Sequence, residues 1–335
     1  MIRTYANRSG RFVLAGGDLA ALDQAVWVDL LRPTKDEEVA VERSFGIDVP
    51  TLEEMSEIEI SSRLYAEENA HFMTAMMLSN TDGDNVLMSP VSFVLTGEHL
   101  ITLRYEEPRA IDAFVARCHK AGTFTAEGLM AGLLEGLIER AGDVLERTGH
   151  ELDGVSREIF AIPPPVPKQA PVAALLAPKP KPKPRDFQSV LEQIGRKGDL
   201  LSKLYESLVS IQRLLTYATA AAQARKLEKD AAGRFKALSR DVQALIDHAG
   251  FLTQKINFLL DATLGMINIQ QTGIIKIFSV AAVVFLPPTL IASIYGMNFD
   301  FMPELAWPYG YPFAVALMVL SAIVPYQFFK WRGWL

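Results

Sequence analysis

The sequence predicts an α+β soluble domain, a mixed sheet with flanking helices, followed by one long helix and a two-helix membrane hairpin. Three observations carry this. Short β-like runs alternate with helix-opening motifs from Ala25 to about Leu103, and helical composition takes over from Pro108. Two apolar runs, Ile274 to Ile294 and Pro312 to Phe329, then hold one charge between them, Lys276. Each is close to the roughly 20 residues that a helix rising about 1.5 Å per residue needs to cross about 30 Å of hydrocarbon.

Val26 to Leu30 reads as the first strand. Thr34-Lys35-Asp36-Glu37 after Pro33 is a capping box that opens a helix, and Thr51-Leu52-Glu53-Glu54 opens another. Ser62 to Tyr65, Ala70 to Leu78, Val91 to Leu95 and His99 to Arg104 read as strands, with a hairpin turn at Asp82-Gly83. A long amphipathic helix is predicted from Ala126 to about Phe160. About half of the 19 prolines lie in 163–184, ending in alternating Pro and Lys, which predicts a semi-rigid polyproline tether. It reads either as a tolerated surface insertion or as a ligand for a proline-recognising partner or anionic lipid. Phe187 to about Ala222 forms the next helix, and another begins near Gly233. Apolar residues in the latter keep heptad spacing, with Val242, Ala249 and Ile256 on one row and Leu245, Leu252, Leu259 and Met266 on the other.

Composition agrees with this division. Half of the 335 residues are hydrophobic, yet nearly all charged residues precede residue 277, so about four fifths of the chain is expected to be water-soluble. A net charge of -6 argues against nucleic-acid binding, which needs excess Lys and Arg. Cys118 is the only cysteine, so one chain offers neither a disulfide nor a thiolate metal site. Met1 to Arg11 lacks the apolar core of a signal peptide, so the N-terminal part is expected in the cytoplasm. The connector Gly296 to Tyr311 has no Lys or Arg, whereas Lys276, Lys330 and Arg332 flank the spans. The positive-inside rule puts both termini in the cytoplasm and the connector outside.

A second series runs beside the heptad rows: Asn257, Asp261, Gly265, Asn268, Thr272, Ile275, Ser279, Ala282, Leu286, Thr289 and Ser293. Steps of three and four keep them on one helical face. That face is polar or small with apolar interruptions at Ile275, Ala282 and Leu286, as a water-lined path with hydrophobic constrictions requires. Small and hydroxyl residues also serve helix packing, so both readings are open. Two spans cannot enclose a channel, so the pore reading requires several copies around an axis, each polar residue becoming a ring.

Tyr295-Gly296-Met297-Asn298-Phe299 followed by Met302-Pro303-Glu304-Leu305 resembles the signature of the CorA family of magnesium transport proteins. The resemblance extends through Lys276 to Val280, Phe285-Leu286-Pro287-Pro288-Thr289-Leu290, Tyr309 to Pro312 and Gly333-Trp334-Leu335, about 60 residues that look like the proteobacterial branch. It implies a homopentamer in a bacterial inner membrane. Residues 1–232 would form a cytoplasmic α/β/α funnel domain with helical arms, broken by the Pro-rich 163–185. A stalk helix 233–273, a first span 274–295, a periplasmic loop 296–311, a second span 312–329 and a basic tail 330–335 would follow. It also implies a selectivity filter at Gly296, Met297 and Asn298, with a polar ring at Thr289 and an acidic ring at Asp261. Thr272 stands where the family has an Asn ring, and Ile275 and Phe278 would form the hydrophobic gate. Family gating through intracellular Mg²⁺ makes Asp82, Asp84 and Asp241 regulatory candidates.

The chemistry of this connector suits magnesium. Mg²⁺ demands octahedral oxygen geometry and sheds water reluctantly, so a filter passing it should bind the hydrated ion through oxygen. Asn298 offers an amide oxygen, and Asp300 and Glu304 at the outer mouth would concentrate cations or would simply be solvated. Cobalt and nickel pass as well if the hydrated ion is what is recognised. The competing readings are a zinc transporter resembling ZntB and a membrane-anchored sensor or scaffold that does not conduct. The five histidines form no short-spaced pair, which disfavours zinc. The absence of a Walker loop, nucleophile elbow or metal-binding His/Glu cluster disfavours an enzyme.

Overall fold

The computed structural model describes residues 1–8, 11–16, 19–67, 70–81, 83, 85–118, 124–160, 186–224, 229–297, 302–303 and 307–333. It divides into two compact units, Met1–Leu260 and Asp261–Leu335. The Pro-rich 163–185 lies outside the described residues.

The first unit is built on a seven-stranded sheet of order β2-β1-β3-β7-β6-β5-β4. Its strands are β1 (Ile2–Arg8), β2 (Arg11–Gly16), β3 (Trp27–Leu31), β4 (Leu64–Glu67), β5 (Ala70–Ser79), β6 (Leu87–Thr96) and β7 (His99–Arg104). All neighbours are antiparallel except β3 and β7 at the centre. The first two strands are absent from the sequence reading. Ser62 and the following Arg63 close a short helix, α3 (Ile60–Arg63), so β4 starts only at Leu64. β6 begins four residues before Val91 and contains Pro90, which lies one residue past the last β6–β7 pair, Val91 with Arg104. A residue that cannot donate is tolerated there because no ladder partner stands opposite on that side.

Both capping boxes form. Thr34 and Glu37 exchange hydrogen bonds at the start of α1 (Lys35–Phe45), and Thr51 and Glu54 do so at α2 (Leu52–Ser56). Gly46 ends α1 at φ 62°, the left-handed conformation that glycine adopts without strain. These helices cover one face of the sheet, where Val28, Leu30, Val41, Met55, Phe72 and Ile101 are buried together. Side chains of β3 alternate, so Trp27 and Asp29 face the other way. Trp27 stacks on Tyr5 at 4.6 Å and meets the edge of Phe114 in α4 (Arg109–Cys118).

Beside Trp27 lies a buried ion pair. The Arg104 guanidinium grips Asp29 through Nε at 2.9 Å and through its terminal nitrogen at 2.8 Å. Both side chains are 1% exposed. Thr102 donates to the same carboxylate at 2.8 Å and accepts from the Trp27 indole at 3.0 Å. Burial works against the Arg104 charge, but the bond and charge of Asp29 outweigh it and raise its pKa. This polar chain joins the two parallel central strands, β3 and β7.

The opposite face is covered by α5 (Ala126–Phe160) and α6 (Phe187–Ala224), close to the predicted bounds. α6 presents Leu204, Leu208, Ile211 and Leu215 inward at helical spacing. Past the end of β4 it also serves the free edge of β5. Ser210 accepts from the Met76 N–H at 2.8 Å, and Ser207 donates to the Met76 carbonyl at 2.7 Å.

Next, α7 (Lys229–Tyr295) is one helix with no break at residue 273. Within the first unit its predicted heptad rows are inward, with Val242, Ala249, Leu252, Ile256 and Leu259 buried. Gly142 and Gly149 of α5, seven residues apart, receive Leu245 and Leu252, also seven apart, at 3.7 and 3.6 Å from where a Cβ would stand. Arg234 with Glu135 and Lys255 with Asp153 continue the same register, so the two helices run parallel.

In the second unit the C-terminal part of α7 is joined by the connector to α8 (Gly310–Trp331). Both helices are long and apolar enough to cross a membrane.

Candidate functional site

The second-unit part of α7 leaves most of its side chains uncovered, and only one side is shielded. Val280 is 6% exposed, and Val284, Pro287, Ile291 and Tyr295 on the same side are half-buried. Since the described residues of this unit form only the two helices and parts of the connector, these residues mark the side the hairpin turns inward, together with the buried Gly310 and Ala314 of α8. The opposite side is bare. Asp261, Asn268, Thr272, Ile275, Ser279, Ala282, Leu286, Thr289 and Ser293 are all exposed, as are Asn257 and Gly265. Ile275 and Leu286 are each 64% exposed and Phe278 72%. One chain therefore leaves the whole predicted stripe uncovered, and the packing within the hairpin uses another face.

Local chemistry follows the helix. Pro287 and Pro288 lie inside α7 and cannot bond the carbonyls of Val283 and Val284. The Thr289 hydroxyl donates to the Phe285 carbonyl at 2.8 Å, so its proton is committed and its lone pairs are left as acceptors. The helix ends where Gly296 N–H bonds Ala292 O at 2.9 Å and Met297 N–H bonds Ile294 O at 3.3 Å. A Cβ on Gly296 would stand 3.1 Å from Ala292 O and 3.6 Å from Ser293 O. Glycine thus avoids crowding these carbonyls, at the helix end that carries partial negative charge. Met297 is 47% exposed.

The remaining predicted residues divide. Asn298, Asp300, Glu304, Asp82 and Asp84 lie outside the described residues. Asp241 is exposed on α7, and among the described residues no three His, Cys, Asp or Glu side chains gather to hold a metal. The structure thus brings the stripe onto one face and assembles no regulatory cluster from the described residues of one chain. The Asp29–Arg104 pair went unnoticed in the sequence, where nothing signals a contact across 75 residues.

The comparisons with known proteins bear on this geometry. The family model for the CorA-like Mg²⁺ transporter protein matches residues 23–170 and 184–330, and the unmatched interval falls inside the Pro-rich segment. The chain is 33% identical to the magnesium transport protein CorA of Yersinia pseudotuberculosis over 99% of its length and 98% of that protein's. Its fold is similar to the complete structure of the CorA magnesium transporter from Methanocaldococcus jannaschii, with a TM-score of 0.76 at 20% identity, covering 100% of this chain and 99% of that one. The ZntB cytoplasmic domain from Vibrio parahaemolyticus is similar at a TM-score of 0.54 and 11% identity, covering 79% of this chain and 97% of that one, a likeness of fold alone. With most of both units inside the matched span, the chain belongs to the CorA family of Mg²⁺ transporters.

Proposed function

We propose that this chain is one subunit of a magnesium channel of the bacterial inner membrane, and that five copies surround an axial pore lined by the polar face of α7. The observation that carries the reading is the bare stripe from Asp261 to Ser293, opposite the face the hairpin turns inward. In this arrangement hydrated Mg²⁺ meets Gly296, Met297 and Asn298 as filter. It then passes the Thr289 acceptors, the apolar constrictions at Leu286, Ala282, Phe278 and Ile275, the Thr272 and Asn268 rings, and Asp261 at the inner mouth. Acceptor oxygens suit the water protons of a hydrated cation, and the negative helix end at Gly296 attracts it. Asp300 and Glu304 concentrate cations outside. Both termini are cytoplasmic, and intracellular Mg²⁺ at Asp82, Asp84 or Asp241 favours the closed state. Co²⁺ and Ni²⁺, similarly hydrated, are carried as well.

Ion flux into proteoliposomes tests this. The parent chain is expected to take up Mg²⁺ and Asn298→Ala to lose most of that uptake. Unchanged uptake in the variant would sink the filter assignment. No uptake in either would favour a scaffold, and uptake of Zn²⁺ alone would favour the ZntB-like reading.

A further inference from the structure

A cavity of about 280 Å³ opens in the first unit where α3, the free edge of β5 and α6 meet. Arg63 lines it from α3, Thr74 from the strand, and Ser210 and Arg213 from α6. Thr74 follows Met73, the last β5 residue paired with β4, and is 5% exposed. Its hydroxyl has no hydrogen-bond partner among the described residues, yet it is not sealed off. Ser210 accepts from the Met76 N–H, which leaves its own proton free. Arg63 donates through one terminal nitrogen to the Ser56 carbonyl at 3.3 Å, while its Nε is shut from water and has no partner. Buried donors without an acceptor are rare in folded chains. Burial lowers the Arg63 pKa, Glu206 raises it, and Arg213 lowers it again. Neither arginine forms an ion pair among the described residues. Donors therefore outnumber acceptors around this space, two guanidinium groups and two hydroxyls against the Glu206 carboxylate.

We propose that this cavity binds the phosphoryl group of a phosphomonoester, held by Arg63, Arg213, Ser210 and Thr74. The donor set selects the ligand. Three terminal oxygens on a tetrahedral phosphorus accept from several directions at once, which the two oxygens of a planar carboxylate do not. Turning the Arg63 guanidinium from Ser56 toward the cavity lets Nε and a terminal nitrogen donate together as a fork. Ile58, Leu64 and Val209 complete the lining with apolar side chains, which suits the carbon body of an ester. The volume equals about nine waters at roughly 30 Å³ each, room for a phosphoryl group and a small ring. An ester here ties α3 to α6 across the edge of β5, without any cation and without the pore.

The test is calorimetric titration of the full chain in detergent, in KCl at constant ionic strength, with phenyl phosphate and with inorganic phosphate. One phenyl phosphate per chain is expected, bound more tightly than inorganic phosphate. Arg213→Ala should weaken it about 10–100-fold and Arg63→Lys about tenfold, through lost charge-assisted hydrogen bonds and the lost fork. Thr74→Val keeps the shape of the side chain and should weaken binding about fivefold. It should also melt at or above the parent, because the hydroxyl it removes serves no partner. Arg196→Ala, exposed elsewhere on α6, removes the same charge and should leave the affinity unchanged. Adding phosphatidic acid to the micelles assigns the source, a lipid headgroup if it competes with phenyl phosphate and a soluble ester if it does not. A parent that binds no phenyl phosphate would overturn the proposal. Equal weakening by Arg213→Ala and Arg196→Ala would do so too, as would a Thr74→Val variant with the parent's affinity. Because the readout is anion binding, a chain without Mg²⁺ flux that still binds the ester would refute only the channel.

Discussion

The two units handle apolar side chains in opposite ways. In the first, Trp27, Phe72, Phe93, Met73 and Leu100 are less than 2% exposed, and the charged pair that enters the interior, Asp29 with Arg104, is matched. In the second, Phe285 is 71% exposed, Leu320 60% and Val324 58%. The same residue types that close a core in water are here turned outward, where a hydrocarbon solvent makes their exposure favourable. The polar residues reverse as well, forming a bare stripe on α7 opposite the inward side. The first unit closes its own core, and in the proposed assembly the second is completed by lipid and further copies.

The largest expected effect tests that last statement. Ser279→Lys should reduce Mg²⁺ uptake about 100-fold or more, because repeated copies would place a ring of cations in a low-dielectric path. It should leave the melting of the first unit unaltered. If uptake falls only as much as for Lys at the outward Leu320, the stripe is not the path.

Next in size is the buried pair. Arg104→Met should cost about 3–5 kcal/mol in denaturant unfolding, since it strands the Asp29 charge in the interior. The double variant Asp29→Leu with Arg104→Met should recover most of that loss. A single variant as costly as the double would mean that the loss comes from packing.

Smaller again is the approach of α4 to α5. A Cβ on Gly132 would run into the Phe114 ring, so Gly132→Ala is expected to cost about 1–3 kcal/mol. Adding Phe114→Leu should lessen the penalty, as a double-mutant cycle would register.

The smallest is Asp153→Asn. The Lys255 hydrogen bond at 2.6 Å lowers the Asp153 pKa, but its side chain is 54% exposed and solvent screens the pair. The contribution, a few tenths of a kcal/mol, is present above the ordinary carboxylate pKa and lost as pH falls through the lowered value. The variant should therefore flatten that acid-side decline slightly in melts between pH 5 and pH 2.

What was legible in the sequence was local or periodic. The capping boxes at Thr34 and Thr51, the helix from Ala126 to Phe160 and the heptad rows of α7 depend on neighbours a few residues away. The stripe was legible for the same reason, since one helix holds all of it. The hairpin of β1 and β2 escaped because Arg3, Arg8 and Arg11 dilute its apolar alternation and its place depends on Ile2 meeting Leu30. Contacts such as Asp29 with Arg104, or Trp27 with Thr102, arise only when the sheet closes. The sequence names those residues without their proximity.

The glycines under α7 act as notches. Leu245 and Leu252 occupy two of them at once, and the shared seven-residue spacing places the next matching stop about 10 Å along the axis. Small displacements of α7 against α5 must lift both side chains out together. The two helices should therefore travel as one lever, tilting as a block, with sliding confined to whole steps.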